Sequence, residues 1–156
     1  MEIRKKNKLV CGVGINDADY EVQPIINGKR VMCPFYAKWV GMLERCYSEK
    51  FQNKWPTYIG CYVILDWIYF SNFKYWMQTQ PWEGKHLDKD ILFPGNKVYG
   101  PYTCVFVDQK VNMFLTDSGA TRGQYPIGVY YHKESRKFSS VCSSVTTGKQ
   151  KNFRSL

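Results

Sequence analysis

Residues 87–114, LDKDILFPGNKVYGPYTCVFVDQKVNMF, constrain the fold more than any other stretch of the chain. Two carboxylates, Asp88 and Asp90, flank Lys89 near its start. Phe93-Pro94-Gly95-Asn96 reads as a turn, because proline presets φ and glycine accepts conformations closed to other residues. The run Thr103-Cys104-Val105-Phe106-Val107 reads as a strand. The stretch ends on a candidate helix carrying Asn112. The parts thus come as strand, turn, strand, helix: a ββα unit with carboxylates at one end and an amide on the helix. On a regular strand Asp88 and Asp90 would share a face and Lys89 would point away. Two readings stay open. Asp88, Asp90 and Asn112 converge on one hard divalent cation such as magnesium, or the aspartates cap and close a polar hairpin packed on a helix.

The rest of the chain supplies what such a unit needs around it. With 156 residues there is room for one domain and a small appendage. A hydrophobic fraction of 44 % and an aromatic fraction of 17 % support a core in which aromatics dominate. No apolar run approaches the roughly 18–20 residues of a membrane span, and no long apolar segment follows the basic N-terminus, so the expectation is a soluble intracellular protein with no membrane partner. Lys and Arg number 22 against 13 Asp and Glu, a net charge of +9. That sign attracts phosphate backbones and, with aromatics interleaved, favours nucleic acid as the partner over a merely basic soluble protein. Six cysteines, Cys11, Cys33, Cys46, Cys61, Cys104 and Cys142, include no C-x-x-C pair. A zinc site from Cys33, Cys46, Cys61 and Cys104 is therefore not expected, and neither are disulfides.

Residues 1–30 read as a basic arm and hairpin, with Lys5 and Lys6 in the arm and Asn27-Gly28 as the hairpin turn. Val22–Ile26 and Arg30–Cys33 would be its strands. Pro34 opens the clearest helix. Phe35, Trp39, Met42, Leu43 and Cys46 form one apolar stripe, with Lys38 and Arg45 off it. Residues 48–60 read as a connector, 61–65 as a short strand, and 71–79 as a second helix capped by Asp66 or Ser71 and ended by Pro81. After a linker at 118–123, residues 127–131, 137–142 and 149–156 read as a three-stranded meander. The expected fold class is α+β, with a core over 31–117 and a small antiparallel sheet over 124–156.

Taken together, Trp39-x-x-Met42-x-x-Arg45-Cys46-Tyr47, Pro56-x-Tyr58-x-Gly60-Cys61, Trp67-x-x-Phe70-x-x-Phe73, Leu87-Asp88-Lys89-Asp90, Gly95-Asn96-x-x-Tyr99-x-Pro101-x-x-Cys104 and Asn112 resemble phage and prophage HNH-like endonucleases. The resemblance covers about residues 31–116. The segment from Ile127-Gly128-Val129 through Lys137-Phe138 to Gly148-Lys149-Gln150 resembles the three strands that open an AP2-type DNA-binding domain, whose helix would follow Leu156. What the resemblance implies is a ββα-metal scaffold in the cytoplasm of a phage-infected bacterial cell, with magnesium as cofactor and DNA as partner. Asp88, Lys89, Asp90, Asn96 and Asn112 would form the catalytic set, with Asp88, Asp90 and Asn112 on the metal. Lys5, Lys6, Lys97, Tyr130, Lys133, Arg136, Lys137, Lys149 and Arg154 would contact DNA. One position departs from the pattern. Lys89 stands where an HNH enzyme carries its histidine general base, and an ammonium accepts no proton from water. Three functions follow: a metal-dependent endonuclease or nickase, a nuclease scaffold that binds DNA without cutting, and a phage inhibitor of a host protein.

Overall fold

The computed structural model describes residues 9–115, 125, 129–143 and 150–154. The architecture is mixed α+β, with four α-helices and four small sheets among the described residues. The chain divides into two units, Met1–Asn112 and Met113–Leu156. No helix among the described residues is long and apolar enough to cross a membrane.

Helix α1, Pro34–Tyr47, organises the first unit. Proline suits its first turn, where the missing N–H would have no helical partner. Trp39, Met42 and Leu43 are fully buried and Cys46 nearly so. Tyr36 takes the remaining inner position, while Phe35, expected on the stripe, turns aside against Trp82 with ring centroids 4.8 Å apart. Helix α3, Phe70–Gln78, buries Phe70, Phe73 and Met77 against it. Trp67, on the 3-10 turn Leu65–Ile68, fills the space beside them. Trp39 and Phe70 pack with ring centroids 5.5 Å apart, and Trp67, Phe73, Trp76 and Phe106 form a second set of ring contacts with centroids between 4.5 and 5.9 Å. Such tilted pairs add about 0.5–1.5 kcal/mol each beyond area burial.

Residues 10–22, expected as part of an arm, run across this core instead. Ile15 N–H donates to Ile68 O (2.9 Å), and Phe70 N–H donates to Ile15 O (3.0 Å). Asp17 caps α3 from a distant point in the sequence: Ser71 N–H and Ser71 Oγ donate to its carboxylate at 2.8 and 2.5 Å. Asp66 and Ser71 were the expected caps. Residues 48–60, expected as a connector, contain helix α2, Glu49–Lys54, started by Ser48 Oγ accepting from Phe51 N–H (3.3 Å). Gln52 of α2 donates to Cys46 O (2.7 Å), satisfying a carbonyl at the end of α1.

The first unit's strands are short. β1 (Ile25–Ile26) and β2 (Lys29–Arg30) form the Asn-Gly hairpin. β3 (Tyr62–Val63) pairs in parallel with β5 (Val98–Tyr99). β4 (His86–Asp88) pairs antiparallel with β6 (Val105–Val107), with Leu87 opposite Phe106, and helix α4, Gln109–Leu115, follows β6 directly. In the second unit β7 (Val129–His132), β8 (Lys137–Ser143) and β9 (Gln150–Arg154) pair antiparallel in that order.

Gly14 marks where the 10–22 segment touches α1. A Cβ there would overlap Leu43 Cδ1 and lie 2.8 and 2.9 Å from the ring of Trp39. Both neighbours are fully buried and have nowhere to move. Gly14→Ala is expected to destabilise the fold by about 1–3 kcal/mol. Urea unfolding reads this as a lower midpoint at unchanged slope; an unchanged midpoint would show that the segment is not clamped to α1.

Candidate functional site

The turn that follows β4 carries the residues singled out by sequence. Strand geometry ends at Asp88, because its Oδ1 accepts from the N–H groups of Asp90 (2.7 Å) and Ile91 (2.8 Å). This is an Asx-type turn, in which a short carboxylate replaces the ladder partner. The two-residue alternation therefore does not continue, and the expected opposition of Lys89 to Asp88 and Asp90 is corrected. Lys89 turns inward and is only 5 % exposed. Its Nζ donates to Asp90 Oδ2 (2.7 Å), Asp90 Oδ1 (2.8 Å) and the carbonyl of Asn96 (2.6 Å), and lies 5.9 Å from the centroid of the Tyr58 ring. An ammonium has three protons, and three oxygens receive them. Asn96 completes the closure: its Nδ2 donates to Lys89 O (2.9 Å) and Val98 O (2.8 Å), and its Oδ1 accepts from Val98 N–H (3.1 Å). In this structure Lys89, Asp90 and Asn96 lock one turn.

Helix α1 holds the approach to that turn. Lys38 Nζ donates to Lys85 O (2.6 Å), and Arg45 Nη1 donates to Leu87 O (3.3 Å). Two cations seven residues apart on the helix thus grip two carbonyls two residues apart on the segment leading into β4. Burial, aided by the charge of Arg45, pushes the Lys38 pKa down. Arg45 also lies near the buried Tyr99 hydroxyl and sits 5.9 Å from the Tyr58 ring centroid. Burial pushes the Tyr99 phenol well above its ordinary range, against the opposing pull of Arg45. The positions of Lys38 and Arg45 beside the apolar stripe of α1 were the sequence signal for this role, but only the packed strand reveals its target.

Magnesium takes oxygen ligands; of the expected trio, Asp90 gives both oxygens to Lys89 and Asp88 Oδ1 holds the turn. Among the described residues no three or more His, Cys, Asp or Glu side chains gather as a metal-binding group. Asn112 is the fourth residue of α4, half-buried, with its backbone N–H on Asp108 O (2.9 Å). Cys46, Cys61 and Cys104 are buried. Burial first, and the neighbouring Cys61 second, push the Cys46 thiol up to about 12, and burial pushes Cys104 up to about 11. Such thiols stay protonated and unreactive at neutral pH. Cys33 lies elsewhere, at the base of the β1–β2 hairpin, 3.6 Å from the Tyr20 hydroxyl.

The expected DNA-contacting residues fall into three groups. Lys97 is spent internally: its Nζ donates to Thr57 O (2.8 Å) and Ile59 O (3.1 Å), stapling β5 to a 3-10 turn. Tyr130, Lys133, Arg136 and Lys137 are all exposed on the β7–β8 hairpin. Across it, Tyr130 registers with Ser139, and Ser139 in turn with Arg154. His132 Nε2 and Ser139 Oγ are 2.7 Å apart. Tyr131 and Phe138 sit opposite each other with centroids 4.9 Å apart, joined by Tyr125, so they mark the other face. Lys5, Lys6 and Lys149 lie outside the described residues. Comparison with family models, curated proteins and solved structures gave no significant match.

Two outcomes follow. Removing the Asp90 carboxylate strands a buried ammonium, whose cost lies between that of an exposed pair and a buried one because Asp90 is 48 % exposed. Asp90→Ala should lose about 2 kcal/mol, and adding Lys89→Met should recover part of it; a double variant no more stable than the single would deny that Lys89 is held by the pair. The second concerns pH. Cys46 ionises near its ordinary 9.0 when unfolded but only near 12 when folded. The folded state therefore holds one more proton in that window. Stability is whole below pH 9 and falls as pH rises towards 12, by at most about 1.4 kcal/mol per unit for this thiol. Urea midpoints measured across the window should fall less steeply for Cys46→Ala than for the parent chain.

Proposed function

We propose that this protein binds duplex DNA through the β7–β8 hairpin and that its HNH-like ββα unit serves as a scaffold for binding rather than cutting. One observation carries the binding half: a hairpin whose Tyr130, Lys133, Arg136 and Lys137 all stand in solvent, while Tyr125, Tyr131 and Phe138 pack together on the opposite side. A sheet that presents cations at and beside the turn between two of its strands suits a DNA groove. Arg136 strengthens the reading. Its φ of 53° is a left-handed conformation, which costs a residue bearing a side chain about 1–2 kcal/mol. Glycine would occupy that turn position without strain, so an arginine there supports a role for its exposed side chain.

The non-cutting half follows from the turn after β4. A general base must be able to take a proton. Lys89 is an ammonium already donating to three oxygens, and Asp90 is its counter-ion. The order β4, β6, α4, with Asp88 ending the strand and Asn112 on the helix, supports kinship with the HNH-like arrangement and keeps the endonuclease reading as the alternative.

The test is DNA binding by fluorescence anisotropy across a salt series, with a magnesium-dependent nicking assay on the same samples. Affinity should fall by orders of magnitude between about 50 and 200 mM salt if several phosphates are neutralised. Arg136→Gly should stabilise the hairpin and yet reduce the salt slope by about 1, whereas Lys97→Ala should leave the slope unchanged. A flat salt response would remove the DNA reading. Nicking that Asp88→Ala abolishes would replace the scaffold reading with the endonuclease.

A further inference from the structure

The β1–β2 hairpin has no part in the function above, yet it is built to protrude. Its ladder extends beyond the two named strands: Cys33 N–H donates to Val22 O (2.8 Å) and Val31 N–H to Pro24 O (2.9 Å). Val22 is buried, and Cys33 leads straight into α1, so the base is fixed in the core. Beyond that base, every residue from Ile25 to Met32 is exposed. Ile25 is 67 % exposed, Ile26 51 %, Val31 45 % and Met32 44 %. The tip is sharply defined, with Asn27 and Gly28 at φ 50° and 73°, the twist that keeps a two-residue hairpin straight. A rigid ribbon with apolar residues on both faces gains nothing by standing in water.

Charge identifies the partner. Lys29 and Arg30 register with Ile26 and Ile25, placing a cation beside each isoleucine. No acidic residue occurs between Glu21 and Glu44. The surface therefore fits a polyanion that also offers apolar groups. Size selects among them. Two strands about 4.8 Å apart, widened by side chains, match the roughly 12 Å major groove of B-form DNA and exceed its roughly 6 Å minor groove. The major groove of A-form RNA is too narrow for side chains to read. The apolar group presented by the bases in the DNA major groove is the thymine methyl.

We propose that the β1–β2 hairpin enters the major groove of duplex DNA, with Ile25, the more exposed of its two isoleucines, against thymine methyl groups and Lys29 and Arg30 on the flanking phosphates. The proposal rests on the DNA-binding reading but uses a surface separate from the β7–β8 hairpin. Its test compares alternating dA–dT and dA–dU duplexes, which differ only in the methyl groups, using the full chain and its Ile25→Ser/Ile26→Ser variant. Both substitutions are at exposed positions, and an unchanged thermal unfolding curve checks the variant's fold. The parent chain should bind the dA–dU duplex more weakly, by about fourfold for each methyl buried, and the variant should bind both duplexes equally. Equal binding of both duplexes by the parent chain overturns the hairpin proposal and leaves DNA binding through the other hairpin standing. A variant that still favours thymine also overturns it. Absence of salt-sensitive binding to either duplex overturns both readings together.

Discussion

The indole N–H of Trp39 donates to the carbonyl of Trp67 at 2.7 Å, between two residues with almost no solvent exposure. Left unpaired there, either group would forfeit its desolvation energy without return, about 1–3 kcal/mol. This bond fixes the depth at which α1 meets the 3-10 turn preceding α3, and the aromatic contacts then fall into place around it. The clamp at Gly14 closes on the same tryptophan ring from the other side. The first unit is thus arranged around one side chain that is both its largest buried body and a polar anchor.

Cations in this unit divide by direction. Lys38, Arg45, Lys89 and Lys97 all donate to backbone carbonyls, those of Lys85, Leu87, Asn96 and Thr57. Short strands leave many carbonyls unpaired, and long basic side chains reach them while laying their methylene stems along the core. A positive total charge is consequently a poor guide to which lysines meet a polyanion. Those of the β7–β8 and β1–β2 hairpins stand in solvent, whereas Lys38, Arg45, Lys89 and Lys97 are structural fasteners.

Much of α1 was legible because its apolar spacing reports burial directly, and the Asn-Gly turn because only that chemistry suits it. Tyr36 replaced Phe35 on the inner face since a stripe is defined only to within a residue at its ends. Helix α2 was hidden because it buries none of its residues, so no periodicity marks it. The Asp17 cap was hidden for a different reason: capping rules search the adjacent residues, and this carboxylate arrives from an entirely different segment. At the candidate site, residue identities were readable but directions were not. Alternation assumes a continuing strand, and Asp88 ended the strand with its own side chain. The pairing of Asp90 with Lys89 follows from that one break.

The parallel pairing of β3 with β5 also has a kinetic meaning. Tyr62 joins Val98 and Val63 joins Tyr99 across a loop that contains α3 and β4. Closing so long a loop carries an entropic cost before any contact rewards it. Asn96 holds the Lys89 turn through Val98, and Val98 is placed by β3. Formation of the helices is local, whereas the Lys89 turn, closed by contacts within 89–96, is also tied through Val98 to a pairing made far along the chain.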